Sequence, residues 1–153
     1  MDACYSHWVG GCWALLENAL RTPEGRNEKL DLWSREGLVR YTLACSQAKK
    51  GGLRDKPGTR PDGYHTCYSL AGLSAAQHRY IYAGNEDAAE GREQGVMGLT
   101  AGFRWRATRA SREEMRMWAF DEEDVVEFVH PVFVLPFDVV EEARAQFADK
   151  VGF

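Results

Sequence analysis

The 153-residue sequence has no long apolar run, no excess of basic charge, no cysteines at metal-knuckle spacing and no strand–turn–strand signal. Each absence removes a class of protein. The most apolar stretch, Val125 to Val140, is broken by Glu127, His130, Pro131, Pro136 and Asp138. That falls well short of the roughly 20 uninterrupted apolar residues of a membrane span. Nineteen Lys and Arg stand against 23 Asp and Glu, for a formal net charge of -4. The two signs are interleaved, so the basic stripe of a nucleic-acid surface is missing. The apolar stretch from Trp8 to Leu16 follows Asp2 instead of a basic region and has no convincing cleavage site, which argues against a secretory leader. A cytoplasmic location is expected. There Cys4, Cys12, Cys45 and Cys67 would be reduced thiols, and their spacing fits no CxxC zinc module.

What the chain does contain is enough apolar material for a core. Hydrophobic residues make up 44%, with five tryptophans, and the length is that of one domain or a large piece of one. Tyr5 to Leu20 reads as a helix with Trp8, Val9, Cys12, Trp13, Leu15, Leu16 and Leu20 on nearly all sides, as expected of a helix covered on more than one face. After a polar turn from Thr22 to Lys29, Asp31 is placed to cap a second helix running to about Lys49. Gly51 to Gly63 is a loop by composition, with two adjacent glycines and Pro57 and Pro61. A third, densely apolar helix is expected from Tyr64 to about Tyr80. Residues 83–112 read as a polar, glycine-rich loop insertion with a short helix around Glu86 to Glu93. The cluster Arg104, Arg106, Arg109 and Arg112 within it reads as solvated surface. Asp121 to Val134 contains an extended, β-branched stretch that Pro131 keeps from running as one helix, and Asp138 to Val151 is an amphipathic helix with Val139, Val140, Ala143, Phe147 and Val151 on one side. The class is all-α.

Three side chains from distant segments carry chemistry: Asp2, Cys4 and His65 offer a carboxylate, a thiolate and an imidazole. Three mixed ligands with a fourth position open is the arrangement of a catalytic zinc, whereas structural sites are closed by four Cys or His. Asp-x-Cys alone is a weak signal, and a cysteine heading an apolar helix is otherwise a small core residue. A lone histidine at a helix start is more often a capping residue. Cys-Tyr-Ser at 4–6 recurs at 67–69, a faint repeat compatible with stacked helix pairs.

Whole segments give these residues their weight. Asp2-Ala-Cys-Tyr-Ser-His-Trp-Val-Gly-Gly closely resembles the Asp-x-Cys-Tyr-Ser-x-Trp segment of protein farnesyltransferase β subunits. Gly51-Gly-Leu-Arg-Asp-Lys-Pro-Gly, followed by Asp62-Gly-Tyr-His-Thr-Cys-Tyr-Ser-Leu-Ala-Gly-Leu-Ser, resembles a second signature of that family in the same order. His130-Pro-Val-Phe loosely resembles its C-terminal His-Pro segment. The resemblance implies an α/α toroid, here the C-terminal part, incomplete at the N-terminus, and a heterodimer with an α subunit. It implies that Asp2, Cys4 and His65 hold zinc. The zinc would keep the thiol of a C-terminal CaaX cysteine ionised for transfer of farnesyl from farnesyl diphosphate. Tyr5 would hydrogen-bond the departing diphosphate, Trp8 would line the isoprenoid funnel, and Tyr64 would border the peptide pocket. Asp55 would help place magnesium against the diphosphate. Each has a plainer reading: Tyr5, Trp8 and Tyr64 as core aromatics and Asp55 as a solvated loop acid. Asp55 and the Tyr64-His-Thr-Cys-Tyr run favour farnesyl over geranylgeranyl transfer. The alternatives are a non-catalytic helical interaction module built from the same toroid and a geranylgeranyltransferase β subunit. A terpene cyclase of the same superfamily is disfavoured by the lack of an Asp-x-Asp-Asp motif. The family's β subunit is more than twice this length, so the chain alone is expected to be inactive.

Overall fold

A computed structural model describes residues 2–20, 33–82, 102 and 104–148. The first helical stretch is divided in two. α1 spans Tyr5–Trp8 and α2 spans Cys12–Ala19. The continuous helix expected from Tyr5 to Leu20 breaks because two consecutive glycines carry little helical preference. Gly10 also lies where a Cβ would collide with the Ser6 carbonyl and sit 3.6 Å from Leu38 Cδ1, so the break lets the chain pass close to its neighbours. The expected burial of this region on several faces is not found: Leu15 is 56% exposed and Leu16 44%.

α3 spans Arg35–Arg40 and is capped by Ser34, whose Oγ accepts the Gly37 N–H at 3.0 Å. Asp31, the expected cap, lies outside the described residues. Tyr41–Ser46 continues as one wide π-helical turn. The glycine loop then reverses the chain with positive φ at Gly51, Gly52 and Gly58, conformations that glycine reaches without a Cβ penalty.

α4 spans Gly63–Gln77 and is the spine of the molecule. Gly72 lets α1 approach it so closely that an added Cβ would collide with Ser6. Its other flank meets Val39 of α3 in a core of Val39, Leu73, Ala76, Ala110, Met115, Trp118 and Phe120. The helix stops at Gln77, three residues before the expected end. His78 swings to φ −123°, ψ 161°, and His78–Tyr82 forms strand β1, antiparallel to β2 at Trp105–Arg109, with His78 opposite Arg109 and Tyr82 opposite Trp105. His-Arg-Tyr-Ile-Tyr is rich in the aromatic and β-branched residues that suit a pleated surface. The sequence reading missed this sheet because no short turn joins its strands. The expected irregular stretch therefore contains a strand from 105, while the short helix expected at Glu86 to Glu93 lies outside the described residues. The fold remains mostly helical.

Ser111 opens α5, Arg112–Met117, with a capping box to Glu114. α5 ends with Ala119 at φ 60°, its N–H on the Arg116 carbonyl at 3.3 Å and the Phe120 N–H on the Met115 carbonyl at 3.1 Å. That is a Schellman closure with alanine where glycine is usual. After a 3₁₀ turn at Glu122–Asp124, the stretch to Val129 is extended, as expected, and polar side chains of α4 and β1 take the place of a neighbouring strand. Gln77 bonds the Asp124 carbonyl at 2.8 Å and the Val126 N–H at 2.9 Å. Ser74 Oγ donates to the Glu127 carbonyl at 2.7 Å and lies 3.0 Å from the Val129 nitrogen. His78 Nε2 lies 2.7 Å from the Val126 carbonyl. These bonds explain why three polar side chains are fully buried. Arg35 closes the C-terminal end of α4. Its Nη1 donates to the carbonyls of Ala75, Ala76 and His78 at 2.7, 3.1 and 3.1 Å, between the rings of Trp33 and Trp118. α6 spans Phe137–Ala148. Of its expected apolar side, Val140 is buried, while Val139 is 43% and Phe147 44% exposed. Among the described residues no helix is long and apolar enough to cross a membrane.

Candidate metal centre

Asp2 and Cys4 lead into α1, and His65 sits in the first turn of α4. Close packing of the two helices brings them together. One ligand atom from each of Asp2, Cys4 and His65 lies within 4.8 Å of the others, the metal-capable group found among the described residues. Asp2 Oδ1 accepts the Cys4 N–H at 3.0 Å and stands 3.3 Å from His65 Nε2. Tetrahedral zinc ligands at about 2.0–2.3 Å lie roughly 3.3–3.8 Å apart. The three donors need close by only about an ångström. The donor set also fits: a carboxylate, a thiol and an imidazole, each a ligand type that zinc accepts, converge on one point.

His65 is held from behind by Asp62, which the sequence reading did not single out. Asp62 caps α4, with Oδ1 accepting the His65 backbone N–H at 2.8 Å and Oδ2 lying 2.6 Å from His65 Nδ1. The cap at this helix start is therefore Asp62 and not His65. This carboxylate–histidine pairing directs Nε2 towards the centre and makes it more basic. The signal was legible as an aspartate three residues before a histidine at a helix start. The hydrogen bond and charge of Asp62 raise the His65 pKa against the opposing effect of burial. For Asp2, burial opposes ionisation, but the Cys4 N–H and His65 outweigh it and hold the carboxyl below its ordinary value. Burial, then the neighbouring Asp2, push the Cys4 thiol up.

The other sequence-singled residues surround this group at different distances from the chemistry. Trp8 Nε1 donates to the Tyr64 hydroxyl at 3.1 Å. The hydrogen bond between Tyr64 and Cys4 is the main cause raising the Tyr64 phenol. Tyr68 packs on both, with ring centroids 4.5 Å from Trp8 and 4.9 Å from Tyr64. Trp8 and Tyr64 are 46% and 51% exposed, so together they form an open aromatic wall and not a core, contrary to the plainer reading. Tyr5 is also exposed and makes no side-chain hydrogen bond among the described residues; the fold does not draw it into the cluster. Asp55 is half-buried beside the group. Its carbonyl accepts the Ala3 N–H at 2.9 Å, its Oδ1 is buried without a hydrogen-bond partner, and its Oδ2 lies 3.4 Å from Lys56 Nζ. His130 is structural: buried, with Nδ1 accepting the Val132 and Phe133 N–H groups at 3.2 and 3.3 Å to close its turn.

Residues 1–135 match the prenyltransferase alpha-alpha toroid domain. The chain is 44% identical over 160 aligned positions to the protein farnesyltransferase subunit beta of Pyricularia oryzae, covering 100% of this chain and 28% of that protein. It is 42% identical over 82 residues to the protein farnesyltransferase subunit beta of Schizosaccharomyces pombe, covering 54% of this chain and 22% of that protein. The geranylgeranyl transferase type-2 subunit beta of Saccharomyces cerevisiae is 38% identical over 73 residues, covering 48% of this chain and 19% of that protein. The chain thus spans about a quarter of the length of these two farnesyltransferase relatives. With two helices meeting over a carboxylate, a thiol and an imidazole, and with the family match running along most of its length, the chain belongs to the prenyltransferase alpha-alpha toroid family.

Proposed function

We propose that this chain is the zinc-bearing part of a protein farnesyltransferase β subunit, which works with an α subunit in the cytoplasm. It would transfer farnesyl from farnesyl diphosphate to the cysteine of a C-terminal CaaX sequence. The observation that carries this reading is the convergence of Asp2, Cys4 and His65 beside the aromatic wall of Trp8 and Tyr64. When bound, zinc supplies a Lewis acid that keeps an incoming thiol ionised near neutral pH. Asp2, Cys4 and His65 would hold it, with Asp62 fixing the His65 ring so that Nε2 faces inward. The peptide sulfur then bonds C1 of the isoprenoid as the C1–O bond breaks, and diphosphate leaves with the electron pair. Trp8 and Tyr64 give the apolar substrates an aromatic surface. Tyr5, one residue after Cys4, would donate to the departing diphosphate, where a donor is worth most as charge develops. Asp55 would help place magnesium there. Asp55 and the Tyr64-His-Thr-Cys-Tyr run favour farnesyl over geranylgeranyl. The 153 residues alone are expected to give no measurable transfer, since they span 28% of the Pyricularia relative.

A non-catalytic interaction module is the second reading, favoured by the exposed apolar side chains of α2 and α6. The test is zinc content and farnesyl diphosphate affinity of the full-length heterodimer carrying His65→Ala. Lost zinc with near-normal isoprenoid affinity is expected. Retained zinc with lowered thermal stability would sink the ligand assignment.

A further inference from the structure

We infer that Tyr41 is a positioning residue for the metal centre, its hydroxyl fixing the Asp55 carbonyl on which the Asp2–Ala3–Cys4 stretch hangs. This deepens the proposed zinc reading and rests on it.

Asp2 and Cys4 flank Ala3, which is buried. Among the described residues, the backbone bonds accepted by the Asp2, Ala3 and Cys4 carbonyls run only to residues 5–8, the first turn of α1. Among the same residues, one backbone bond ties this stretch to the rest of the molecule: the Ala3 N–H donates to the Asp55 carbonyl at 2.9 Å. The direction of that carbonyl therefore helps decide where two of the three donor groups stand relative to His65.

Asp55 lies on a loop outside any helix or strand, where Gly51, Gly52 and Gly58 all have positive φ, so hydrogen bonds to its surroundings set where each carbonyl points. The loop is pinned at other points. The Arg54 N–H reaches the Ser46 carbonyl at 3.0 Å, and the Leu53 N–H reaches Thr66 Oγ1 at 2.9 Å. At Asp55 the pin is Tyr41, whose hydroxyl donates to the same carbonyl at 3.3 Å. A carbonyl has two lone pairs, so Ala3 and Tyr41 share it without competing. Tyr41 opens the π-helical turn after α3, a local widening that recurs at functional sites in helices. The hydroxyl thus links α3, the glycine loop and the Asp2–Cys4 stretch, although Tyr41 contributes no ligand.

The test uses the full-length heterodimer, stripped of metal and titrated with Co²⁺ against a competing chelator. Wild type, Tyr41→Phe and Tyr80→Phe are compared, with thermal melts of the metal-free proteins alongside. Tyr80 is a control: its buried hydroxyl bonds Ser74 Oγ at 2.8 Å, so losing it should lower stability and leave cobalt binding alone. Tyr41→Phe is expected to weaken cobalt binding about 3- to 10-fold, the effect of losing one ordinary hydrogen bond. Ala3→Pro removes the other hydrogen on the Asp55 carbonyl and is expected to weaken binding in the same direction, which covers poor folding of the first variant. Cobalt affinity within twofold of wild type in either folded variant overturns the assignment of Tyr41 while leaving the zinc reading intact. A wild-type protein that takes up no cobalt overturns both.

Discussion

Replacing Gly72 by alanine tests the closeness of α1 and α4, on which the site depends. A Cβ at 72 would meet the Ser6 side chain and lie 2.6 Å from the Ser6 carbonyl carbon. Carbon atoms in contact sit at roughly 3.5–4.0 Å, so α1 must retreat by about an ångström. The Ser6 side chain could rotate away, but its backbone cannot. Overpacking of this kind costs about 1–3 kcal/mol. Against it stands the better helix propensity of alanine, about 1 kcal/mol. Because the obstacle is partly backbone, the upper part of the overpacking range applies, and a net loss of about 1–2 kcal/mol is expected. Gly63→Ala is the natural control, because nothing lies within 4 Å of a Cβ there and the substitution should be neutral or slightly stabilising. Urea unfolding of the full-length heterodimer measures both. Ser6→Gly in the Gly72→Ala background should restore only part of the loss, since the Ser6 carbonyl carbon remains. A Gly72→Ala protein as stable as wild type would show that the helices do not approach this closely, and the geometry of Cys4 and His65 would have to be rebuilt.

Ala119→Gly should raise stability by about 1 kcal/mol in the same unfolding assay, because Ala119 holds a left-handed conformation that glycine adopts without a Cβ penalty; a loss would mean that Ala119 packing matters more than its backbone. The His65 pKa, raised chiefly by Asp62, sets a pH dependence in the metal-free protein. The stabilisation is fully present below the ordinary histidine pKa of about 6.5 and fades as pH rises through the higher folded value. Asp62→Asn keeps an N-cap and removes the charge, so melting temperature plotted from pH 5 to 9 should lose most of that slope, with Asp2 keeping the remainder; an unchanged slope would show that the His65–Asp62 pair does not titrate as described.

The candidate site was legible where two long sequence motifs specify local backbone. Asp2, Cys4 and His65 were a weak signal as residue types alone, and the resemblance of their whole segments singled them out; the fold brings them to one place. What escaped was set by contacts between distant segments. Asp62 is the exception, a local partner three residues before His65 whose place as cap brings its second oxygen to the ring. Tyr41 looked like one more apolar position of a helix, since nothing in its neighbourhood announces a π turn. The β1–β2 pair was hidden because the strands are more than twenty residues apart with no short turn between them, so only the pairing of His78–Tyr82 with Trp105–Arg109 reveals it. The apolar sides of α2 and α6 were read correctly as apolar, but periodicity cannot say whether a neighbour covers them.

The site is assembled from pieces made at different times. α1 has only four residues, too few to persist as a helix in water, so Cys4 gains its buried setting only once α4 exists to receive it. Ribosomes extend chains at about 5–20 residues per second, and Cys4 precedes His65 by about sixty residues, which leaves an interval of roughly 3–12 s in which the first half-site waits. The loop that must close is long, and contacts of high sequence separation form late. During that interval the Cys4 thiol, buried in the finished fold, is open to oxidants and alkylating reagents. A pulse of thiol reagent should therefore label Cys4 in nascent chains stalled before α4 and spare it once α4 has emerged and folded.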